Sequence, residues 1–274
     1  MNSKLQSLAR GINQSLRPFG IKIANANKAV VEMNRYIEVI KELYGCFTTL
    51  HNFTLPVSPK RLELMAQLMG TQPTEAMYIL MYLSKTMPMQ GDVCEFGIAQ
   101  GLTSALIANE ILPSNKNLWL FDSFQGLPKP SEKDKLIDDV YGLGSMEAYQ
   151  GQLCFSASEA MARVKETAFP TQRLKIIPGF IEETIKRSDL PAQVCFAYVD
   201  FDFYEPIKIA LEFLAPRLPK GGVVIIDDYG WFSSGAQTAV DEFMSENSKA
   251  FEFIVSPSWA SRFAIIIKEW PHLY

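Results

Sequence analysis

Residues 93–101 read VCEFGIAQG, a short and mostly apolar run that leads directly into a glycine turn. The residues that follow, 102–112, have the apolar spacing of a helix. A glycine after a short strand permits a tight turn, and a strand that passes through such a turn into a helix is typical of an α/β unit. The stretch therefore predicts the first strand and helix of a parallel sheet.

Short apolar runs alternate with helical runs through the rest of the chain. Further strands are expected at residues 117–121, 174–177, 194–199, 223–226, 251–255 and 262–267. Nearly continuous apolar strands indicate a parallel sheet that helices cover on both faces. A short Ser/Pro turn joins the last two runs and predicts an antiparallel edge. The predicted fold class is α/β, a doubly wound seven-stranded mostly parallel sheet with an N-terminal helical extension.

The extension precedes the first strand and has a helical pattern. Residues 1–30 carry five basic side chains and no acidic one. Four apolar residues share one helical face, Leu5, Leu8, Ile12 and Leu16. A solvated helix or an oligomer contact explains this arm more simply than a contact with a membrane surface. We expect an N-terminal helical arm and cap at 1–72 and the main domain at 73–274.

The composition excludes several classes of protein. With 274 residues, 48% hydrophobic and 20% charged, the chain has a globular balance that disordered and fibrous proteins lack. No apolar run approaches the ~18 residues of a transmembrane span. A net charge of −4 does not suit a nucleic-acid-binding protein. Four widely spaced cysteines without a CxxC pair indicate reduced thiols in a cytoplasmic protein, and neither a disulfide framework nor a zinc site.

The strand ends are informative for function, because ligands of a doubly wound sheet bind at the carboxyl ends of its strands. These positions form a strongly acidic rim. They are Glu95, Gly97, Asp122, Gly179, Asp200, Asp202, Asp227 and Asp228. The turn at 97–101 precedes a helix N-terminus, which favours a negatively charged group. Its spacing differs from the GxGxxG pattern of dinucleotide sites.

Two candidate sites follow from this rim. Asp122 ends the second strand, where an acid can accept hydrogen bonds from the two hydroxyls of a ribose or cap the following turn. Together with the glycine turn it favours a nucleoside site. Asp200, Asp227 and Asp228 are costly to bring together unless they are paired, solvated or metal-bound. Their oxygen ligands would suit a hard cation such as Mg²⁺.

Five segments occur in order along the chain: 93–101 (VCEFGIAQG), 121–128 (FDSFQGLP), 177–180 (IPGF), 199–205 (VDFDFYE) and 221–229 (GGVVIIDDY). Together they resemble the macrocin O-methyltransferase family, a branch of the class I S-adenosylmethionine-dependent methyltransferases. The resemblance spans about residues 54–247, and the second and fourth segments carry the motifs specific to the family. It implies a Rossmann-like methyltransferase that methylates hydroxyls on sugars or aromatic units of secondary metabolites. The chain departs from the family pattern at Ala99, Gln100 and Phe201.

The resemblance also implies the roles of individual residues. The S-adenosylmethionine site would comprise Glu95, Phe96, Gly97, Gly101, Thr103, Ser104, Asp122, Ser123, Gly179, Phe180 and Asp200. The methionine end of the cofactor would lie at the glycine turn, the ribose at the second strand end and the adenine at the third. Mg²⁺ would be held by Asp200, Asp227 and Asp228. Independently of the resemblance, the weak acidity of a hydroxyl calls for a general base, and Asp200 or Asp202 is expected to act as the catalytic base.

Several alternatives stay open in the sequence. His51 is a rival base, although a lone histidine in a helical segment is usually structural. Trp231 is expected either to form a wall of the acceptor site or to pack in the core. The long loop at 129–157 predicts a lid. Its acidic residues, Asp134, Asp138 and Asp139, are expected to form a solvated face and not a second metal site.

The leading hypothesis is an S-adenosylmethionine- and Mg²⁺-dependent O-methyltransferase whose acceptor is a small molecule with hydroxyl groups. One alternative is a metal-independent methyltransferase with another small acceptor. A second alternative is a module that binds S-adenosylmethionine without catalysis. The predicted setting is a cytoplasmic homodimer that binds no nucleic acid and has no transmembrane segment.

Overall fold

The structure is a computed structural model that describes residues 26–56, 58 and 60–269, with side chains from residue 34 onward. The predicted amphipathic arm, with Leu5, Leu8, Ile12 and Leu16, lies outside the described residues. Seven strands form one sheet within the described part of the chain. They are β1 (Asp92–Phe96), β2 (Leu118–Asp122), β3 (Leu174–Pro178), β4 (Val194–Val199), β5 (Val223–Ile226), β6 (Phe251–Val255) and β7 (Ala264–Lys268).

The strand order across the sheet is β3-β2-β1-β4-β5-β7-β6. Neighbouring strands among β1 to β5 pair in parallel. Strand β7 is antiparallel to both β5 and β6. The predicted doubly wound sheet and its antiparallel edge are therefore confirmed. From β1 the chain adds strands toward one edge of the sheet, and from β4 it adds them toward the other edge. A crevice opens between the carboxyl ends of β1 and β4, where the strand order reverses.

Helices cover both faces of the sheet. They are α1 (Ala26–Leu50), α2 (Arg61–Gln67), α3 (Pro73–Thr86), α4 (Leu102–Ile111), α5 (Ala157–Glu166), α6 (Ile181–Thr184), α7 (Tyr204–Leu214) and α8 (Ser234–Asn247). Helices α1 to α5 pack on one face, and α6 to α8 pack on the other. Residues of each strand alternate between the two layers, so that Phe196 and Tyr198 face the first layer and Ala197 and Val199 the second. None of the described helices has the length and apolarity needed to cross a membrane.

The helices predicted as a cap are packed directly on the main domain. Ile40 and Phe47 of α1 belong to the same apolar core as Val93 of the sheet. Arg61 of α2 forms a buried ion pair with Glu110 of α4, with 2.6 Å between Nη2 and Oε2. The segment before α3 is therefore continuous with the core in the structure.

The long loop between β2 and α5 is attached to the domain by its acidic residues. Asp134 is buried and accepts hydrogen bonds from the backbone N–H of Tyr204 (2.8 Å) and from the Ser233 hydroxyl (3.2 Å). The neighbouring Lys133 forms an ion pair with Glu242 on α8. The expectation of a solvated acidic face is therefore wrong for Asp134, because this carboxylate binds the N-terminal ends of two helices.

The tip of the same loop is also organised by an acid. The Tyr149 hydroxyl donates to Asp139 (2.6 Å) and accepts from the backbone N–H of Tyr141 (2.9 Å). The Asp139 carboxylate also accepts from the backbone N–H groups of Leu143 and Gly144. These bonds fix residues 139–149 into a closed turn, so the predicted lid has a defined conformation in the structure.

Candidate functional site

A cleft of ≈ 330 Å³ opens at the carboxyl ends of the central strands. Most of the residues predicted to be functional line it: Glu95, Gly97, Thr103, Asp122, Ser123, Gly179, Phe180, Asp200, Asp202, Asp227 and Asp228. They come from the ends of β1 to β5 and from the start of α4. The structure therefore brings the acidic rim and the glycine turn together at one site, as the rule for doubly wound sheets predicts.

Three predicted cofactor residues do not line the cleft. The Phe96 side chain is fully buried and stacks on Phe121, with 4.5 Å between the ring centroids. Ser104 is fully buried in α4. Gly101 precedes α4 with φ +77°, and a Cβ there would lie 2.7 Å from Cα of Ala160. These residues serve the packing of β1 and α4, which a sequence motif does not distinguish from ligand contact.

Gly97 lines the cleft, and the backbone of Asp200 lies so close to it that a side chain has no room there. Its φ is +80°, and a Cβ would collide with the carbonyl oxygen of Asp200. The glycine therefore lets the end of β1 lie directly against the end of β4. This contact brings the turn after β1 next to the carboxylates that follow β4.

Glu95 lines the cleft and has a buried, unpaired carboxylate oxygen. The residue is 1% exposed, and its Oε2 has no hydrogen-bond partner. Burial raises the pKa of Glu95 to about 8. The nearby Ser104 hydroxyl lowers this pKa, and the negative charge of Asp122 raises it slightly. A buried acceptor without a partner is costly. The site is therefore suited to a ligand that brings a cationic donor to Glu95.

Asp122 organises two turns at the edge of the cleft. Its Oδ2 accepts from the backbone N–H of Ile98 (2.8 Å) and Ala99 (3.2 Å), and its Oδ1 accepts from that of Phe124 (2.7 Å). The Ser123 hydroxyl likewise donates to the carbonyl of Gly126 (2.9 Å). The capping interpretation of Asp122 is thus seen directly. The carboxylate still lines the cleft and retains acceptor capacity for a ligand, because each oxygen carries two lone pairs.

Three carboxylates converge on the opposite side of the cleft. Oxygens of Asp200, Asp202 and Asp228 all lie within 4.8 Å of one another. Strand β4 ends before Asp200, and Asp202 then adopts a left-handed backbone with φ +62°. Asp228 follows β5 with φ +55°. These two turns direct carboxylates from neighbouring strands toward the same point.

Asp227 is not a member of this group of three. Its Oδ2 accepts from the Tyr198 hydroxyl (2.7 Å), and its Oδ1 accepts from the backbone N–H of Asp228 (2.8 Å). The sequence predicted Asp200, Asp227 and Asp228 as metal ligands, and the structure groups Asp202 in place of Asp227. The difference arises because consecutive residues leave a strand in opposite directions.

The electrostatics of the three carboxylates suit a hard cation. Burial, followed by the charge of Asp227, raises the pKa of Asp200 and of Asp228 well above the ordinary range. Burial also raises the pKa of Asp202 to about 7, although a hydrogen bond with Asp228 opposes this shift. A divalent cation would relieve the repulsion that causes part of these shifts. Its preferred protein ligands are carboxylate oxygens, so the donor set fits Mg²⁺, Mn²⁺ or Ca²⁺.

The long loop that was predicted as a lid contributes an apolar wall to the cleft, through two residues that were not singled out from the sequence. Val140 and Tyr141, at the tip of the loop, line the cleft and are 41% and 57% exposed. Trp231 also lines the cleft, and its Nε1 donates to Asp138 (2.7 Å). Of the two interpretations of Trp231, the structure favours the wall. His51 does not line the cleft, because its ring packs against Phe47 with 4.3 Å between centroids.

Comparison with protein families gives one match over most of the chain. Residues 68–254 match the family model described as Macrocin-O-methyltransferase (TylF). One relative is the 8-demethyl-8-(2,3-dimethoxy-alpha-L-rhamnosyl)-tetracenomycin-C 4'-O-methyltransferase of Streptomyces olivaceus. It is 28% identical to this chain over 143 residues. That match covers 51% of this chain and 53% of the relative. Demethyldecarbamoylnovobiocin O-methyltransferase from Streptomyces niveus is 26% identical over 169 residues, which cover 60% of this chain and 62% of the relative. The chain thus spans little more than half the length of these curated relatives.

Solved structures share the fold. The O-methyltransferase NovP superposes with a TM-score of 0.61 at 21% identity, over 86% of this chain and 99% of that chain. The calicheamicin methyltransferase CalS11 superposes with a TM-score of 0.55 at 20% identity, over 89% of this chain and 94% of that chain. These similarities confirm the Rossmann-like arrangement of the sheet and helices.

Proposed function

The chain belongs to the macrocin O-methyltransferase (TylF) family, and from this membership we propose that it is an S-adenosylmethionine-dependent O-methyltransferase. The acceptor is a hydroxyl of a small natural product or of its sugar, and the names of the matching relatives support this class. The observation that carries the proposal is the placement, in one cleft, of the unpaired Glu95 oxygen and the three converging carboxylates. The predicted homodimer and cytoplasmic location stay predictions.

The cofactor would occupy the side of the cleft formed by the ends of β1, β2 and β3. S-adenosylmethionine supplies an activated methyl group on a sulfonium, together with an ammonium group at its methionine end. The Oε2 of Glu95 would accept a hydrogen bond from that ammonium group. Asp122 would accept from a ribose hydroxyl with the one lone pair left on its Oδ1, and Gly179 and Phe180 would contact the adenine.

The acceptor would lie on the carboxylate side of the cleft. Asp200 and Asp228 belong both to the predicted ligand set and to the observed group, so we assign them to a divalent cation, with Asp202 or Asp227 as the third ligand. Mg²⁺ bound there supplies Lewis acidity, which lowers the pKa of a coordinated hydroxyl. A carboxylate oxygen of Asp202, or of Asp200, would accept the proton of the acceptor hydroxyl.

The apolar wall would orient the acceptor and exclude water. Methyl transfer is an in-line displacement, so the acceptor oxygen, the methyl carbon and the sulfur must be aligned with the reacting atoms about 3–3.5 Å apart. Val140, Tyr141 and Trp231 face this region of the cleft. Asp134 attaches the loop that carries Val140 and Tyr141 to the domain, and Asp138 binds the Trp231 indole on the turn after β5. These bonds give the wall a defined shape.

Calorimetric titration with S-adenosylhomocysteine, with Mg²⁺ and separately with EDTA, tests the cofactor assignment. We expect binding in both conditions, followed by Mg²⁺-dependent methylation of acceptors that carry neighbouring hydroxyls. Absence of binding in both conditions would overturn the methyltransferase proposal. Turnover that resists EDTA would favour the metal-independent alternative. Binding without methyl transfer to any of a varied set of polyols would favour the non-catalytic module.

Substitution of the carboxylates tests the cation. We expect Asp200→Asn and Asp228→Asn to abolish Mg²⁺-dependent turnover without weakening S-adenosylhomocysteine binding more than severalfold. Asp202→Asn tests the third ligand: a loss of Mn²⁺ affinity as large as in Asp200→Asn assigns Asp202, and unchanged affinity assigns Asp227. The matched control is Asp189→Asn, since Asp189 is an exposed acid paired with Arg187 outside the cleft. Wild-type turnover in Asp200→Asn would contradict the assignment.

A further inference from the structure

A buried polar network lies behind the carboxylates on the side of helix α3. Tyr198 of β4 and Glu75 of α3 are each 1% exposed. The Tyr198 hydroxyl lies 2.7 Å from Oδ2 of Asp227 and 3.2 Å from Oε1 of Glu75. The reaction described above uses neither residue. The network lies within a layer that is otherwise largely apolar.

The proton count of this network indicates how it is held together. A tyrosine hydroxyl has one proton and can donate to only one of the two carboxyl groups. The shorter contact is the one to Asp227, so the contact to Glu75 is satisfied when the Glu75 carboxyl donates its own proton. Asp227 is thus the acceptor on which the network converges.

Asp227 transmits this constraint to the cleft. Its second oxygen accepts from the backbone N–H of Asp228, at 2.8 Å. Asp228 has φ +55°, a backbone conformation that a non-glycine residue adopts only when its surroundings support it. Fixing the Asp227 carboxylate therefore fixes the turn from which the Asp228 carboxylate enters the cleft.

The chemistry of the core argues against a purely stabilising role for the network. Replacing buried polar or charged groups with apolar groups of similar volume is often neutral or stabilising. A phenylalanine would fill the position of Tyr198 with almost the same shape, and its neighbour on the same face of β4 is Phe196. The Tyr198 hydroxyl is therefore better explained by its hydrogen bond to Asp227, which fixes the orientation of that carboxylate at the cleft.

We propose that Tyr198, supported by Glu75, is a positioning residue that holds Asp227 and thereby sets the carboxylate of Asp228 for a divalent cation. The inference rests on the proposed function, because it takes the cleft to bind such a cation. It holds whether Asp227 is itself a ligand or only fixes its neighbour. Hydrogen bonds to ligating carboxylates are the usual way in which proteins orient metal ligands.

The test is a titration of the full chain with Mn²⁺ alone, in which free Mn²⁺ is measured by electron paramagnetic resonance. We expect Tyr198→Phe to bind Mn²⁺ about 10- to 100-fold more weakly than the wild type, the usual loss for a group that orients a ligand. Binding of S-adenosylhomocysteine should change less than about twofold, since Tyr198 does not line the cleft. Tyr204→Phe is the matched control, because its buried ring carries a hydroxyl that donates to Glu242 (2.6 Å) outside the cleft.

A second pair of variants tests Glu75 and covers a failure of Tyr198→Phe to fold. Glu75→Gln can still donate to the Tyr198 hydroxyl and should keep Mn²⁺ affinity within about threefold. Glu75→Leu cannot donate and should bind Mn²⁺ at least about tenfold more weakly. Equal Mn²⁺ affinity in Tyr198→Phe and the wild type would overturn the inference and leave the proposed function intact. No Mn²⁺ binding by the wild type would overturn the cation assignment, and the inference with it.

Discussion

Two aspartates at the cleft have a backbone conformation that is unfavourable for any residue except glycine. Asp202 and Asp228 have φ +62° and +55°. Such a conformation costs roughly 1–2 kcal/mol, although aspartate tolerates it better than most residues. In both cases the turn directs a carboxylate to the same point as Asp200. Two strained residues therefore lie where the proposed cation and acceptor would bind.

Glu95 should oppose folding in the absence of the cofactor. Its folded pKa of about 8 lies above its unfolded value. Between those two values the folded chain keeps a proton that the unfolded chain releases, so the free energy of unfolding decreases as the pH rises. This penalty is at most about 3 kcal/mol at pH 7. We expect Glu95→Gln to raise the Tm near pH 7.5 and to leave the Tm nearly unchanged near pH 5. We also expect it to weaken S-adenosylhomocysteine binding by about 10- to 100-fold, because the amide loses the charge that attracts the ammonium group.

Thermal denaturation across this pH range and calorimetry check both parts of the prediction for Glu95. Glu63→Gln is the control, because Glu63 is an exposed acid in α2 and should change neither quantity. Unchanged cofactor affinity in Glu95→Gln would show that the carboxylate does not hold the ligand. An equal change of Tm at both pH values would show that its charge does not cause the penalty.

The acidic rim could be read from the sequence, but the direction of each side chain could not. Asp200 and Asp202 are two residues apart, so they would share a face if β4 continued through them. The strand ends at Val199, and the left-handed turn at Asp202 brings the two carboxylates together by another route. Glu75 and Tyr198 were missed because their partners are distant in sequence. The one available signal was a glutamate in the first turn of α3, where an acid is also a common helix-terminal residue.

At the scale of elements, the long loop acts as a wall because its base is pinned to two helices. Asp134 binds the start of α7 through the N–H of Tyr204 and lies against Ser233, the N-cap of α8. Gly235 at the start of α8 has no room for a side chain, since a Cβ there would collide with Oδ1 of Asp134. A carboxylate near two helix N-termini is favoured by the helix dipoles.

Removal of this carboxylate should loosen the wall and leave the sheet intact. We expect Asp134→Ala to lower the free energy of unfolding by about 2–3 kcal/mol, because it leaves buried donors without an acceptor. We also expect faster proteolysis and faster amide hydrogen exchange at 129–150, and a higher KM for the acceptor with little change in S-adenosylhomocysteine affinity. Glu132→Ala removes an exposed acid two residues away and is the control. Unchanged exchange in the loop of Asp134→Ala would contradict the role given to Asp134.

The sequence predicts the regular elements well and the loop poorly. Each predicted strand differs from the observed one by no more than two residues at either end, because apolar runs bounded by turn residues define strands locally. The bond from the backbone of Tyr204 to Asp134 joins positions 70 residues apart. No local pattern in the chain encodes such a contact, so an acidic loop was mistaken for a solvated face.

At the scale of the whole molecule, the order of the strands collects acids from separate parts of the chain. Strands β4 and β5 are adjacent, and their ends supply Asp200, Asp202, Asp227 and Asp228. The apolar strands behind them leave little water to solvate these charges, and burial is the largest cause of each raised pKa. The same architecture that creates the site therefore lowers the stability of the unliganded protein at neutral pH.

This arrangement predicts that a divalent cation offsets the loss of stability at rising pH. In EDTA, the raised folded pKa values of Asp200, Asp202 and Asp228 mean that the folded chain binds more protons than the unfolded chain. The Tm should therefore fall as the pH rises from about 5 to about 8. Saturating Mg²⁺ competes with those protons and binds only the folded chain, which adds about 2.7 kcal/mol at a hundredfold excess over Kd. The gain should thus increase with pH, because the carboxylates are then free to bind the cation.

Thermal denaturation with Mg²⁺ and with EDTA measures this gain, and Asp228→Asn should lose most of it. A gain that is equal at both ends of the pH range, or that persists in Asp228→Asn, would place the cation elsewhere on the protein.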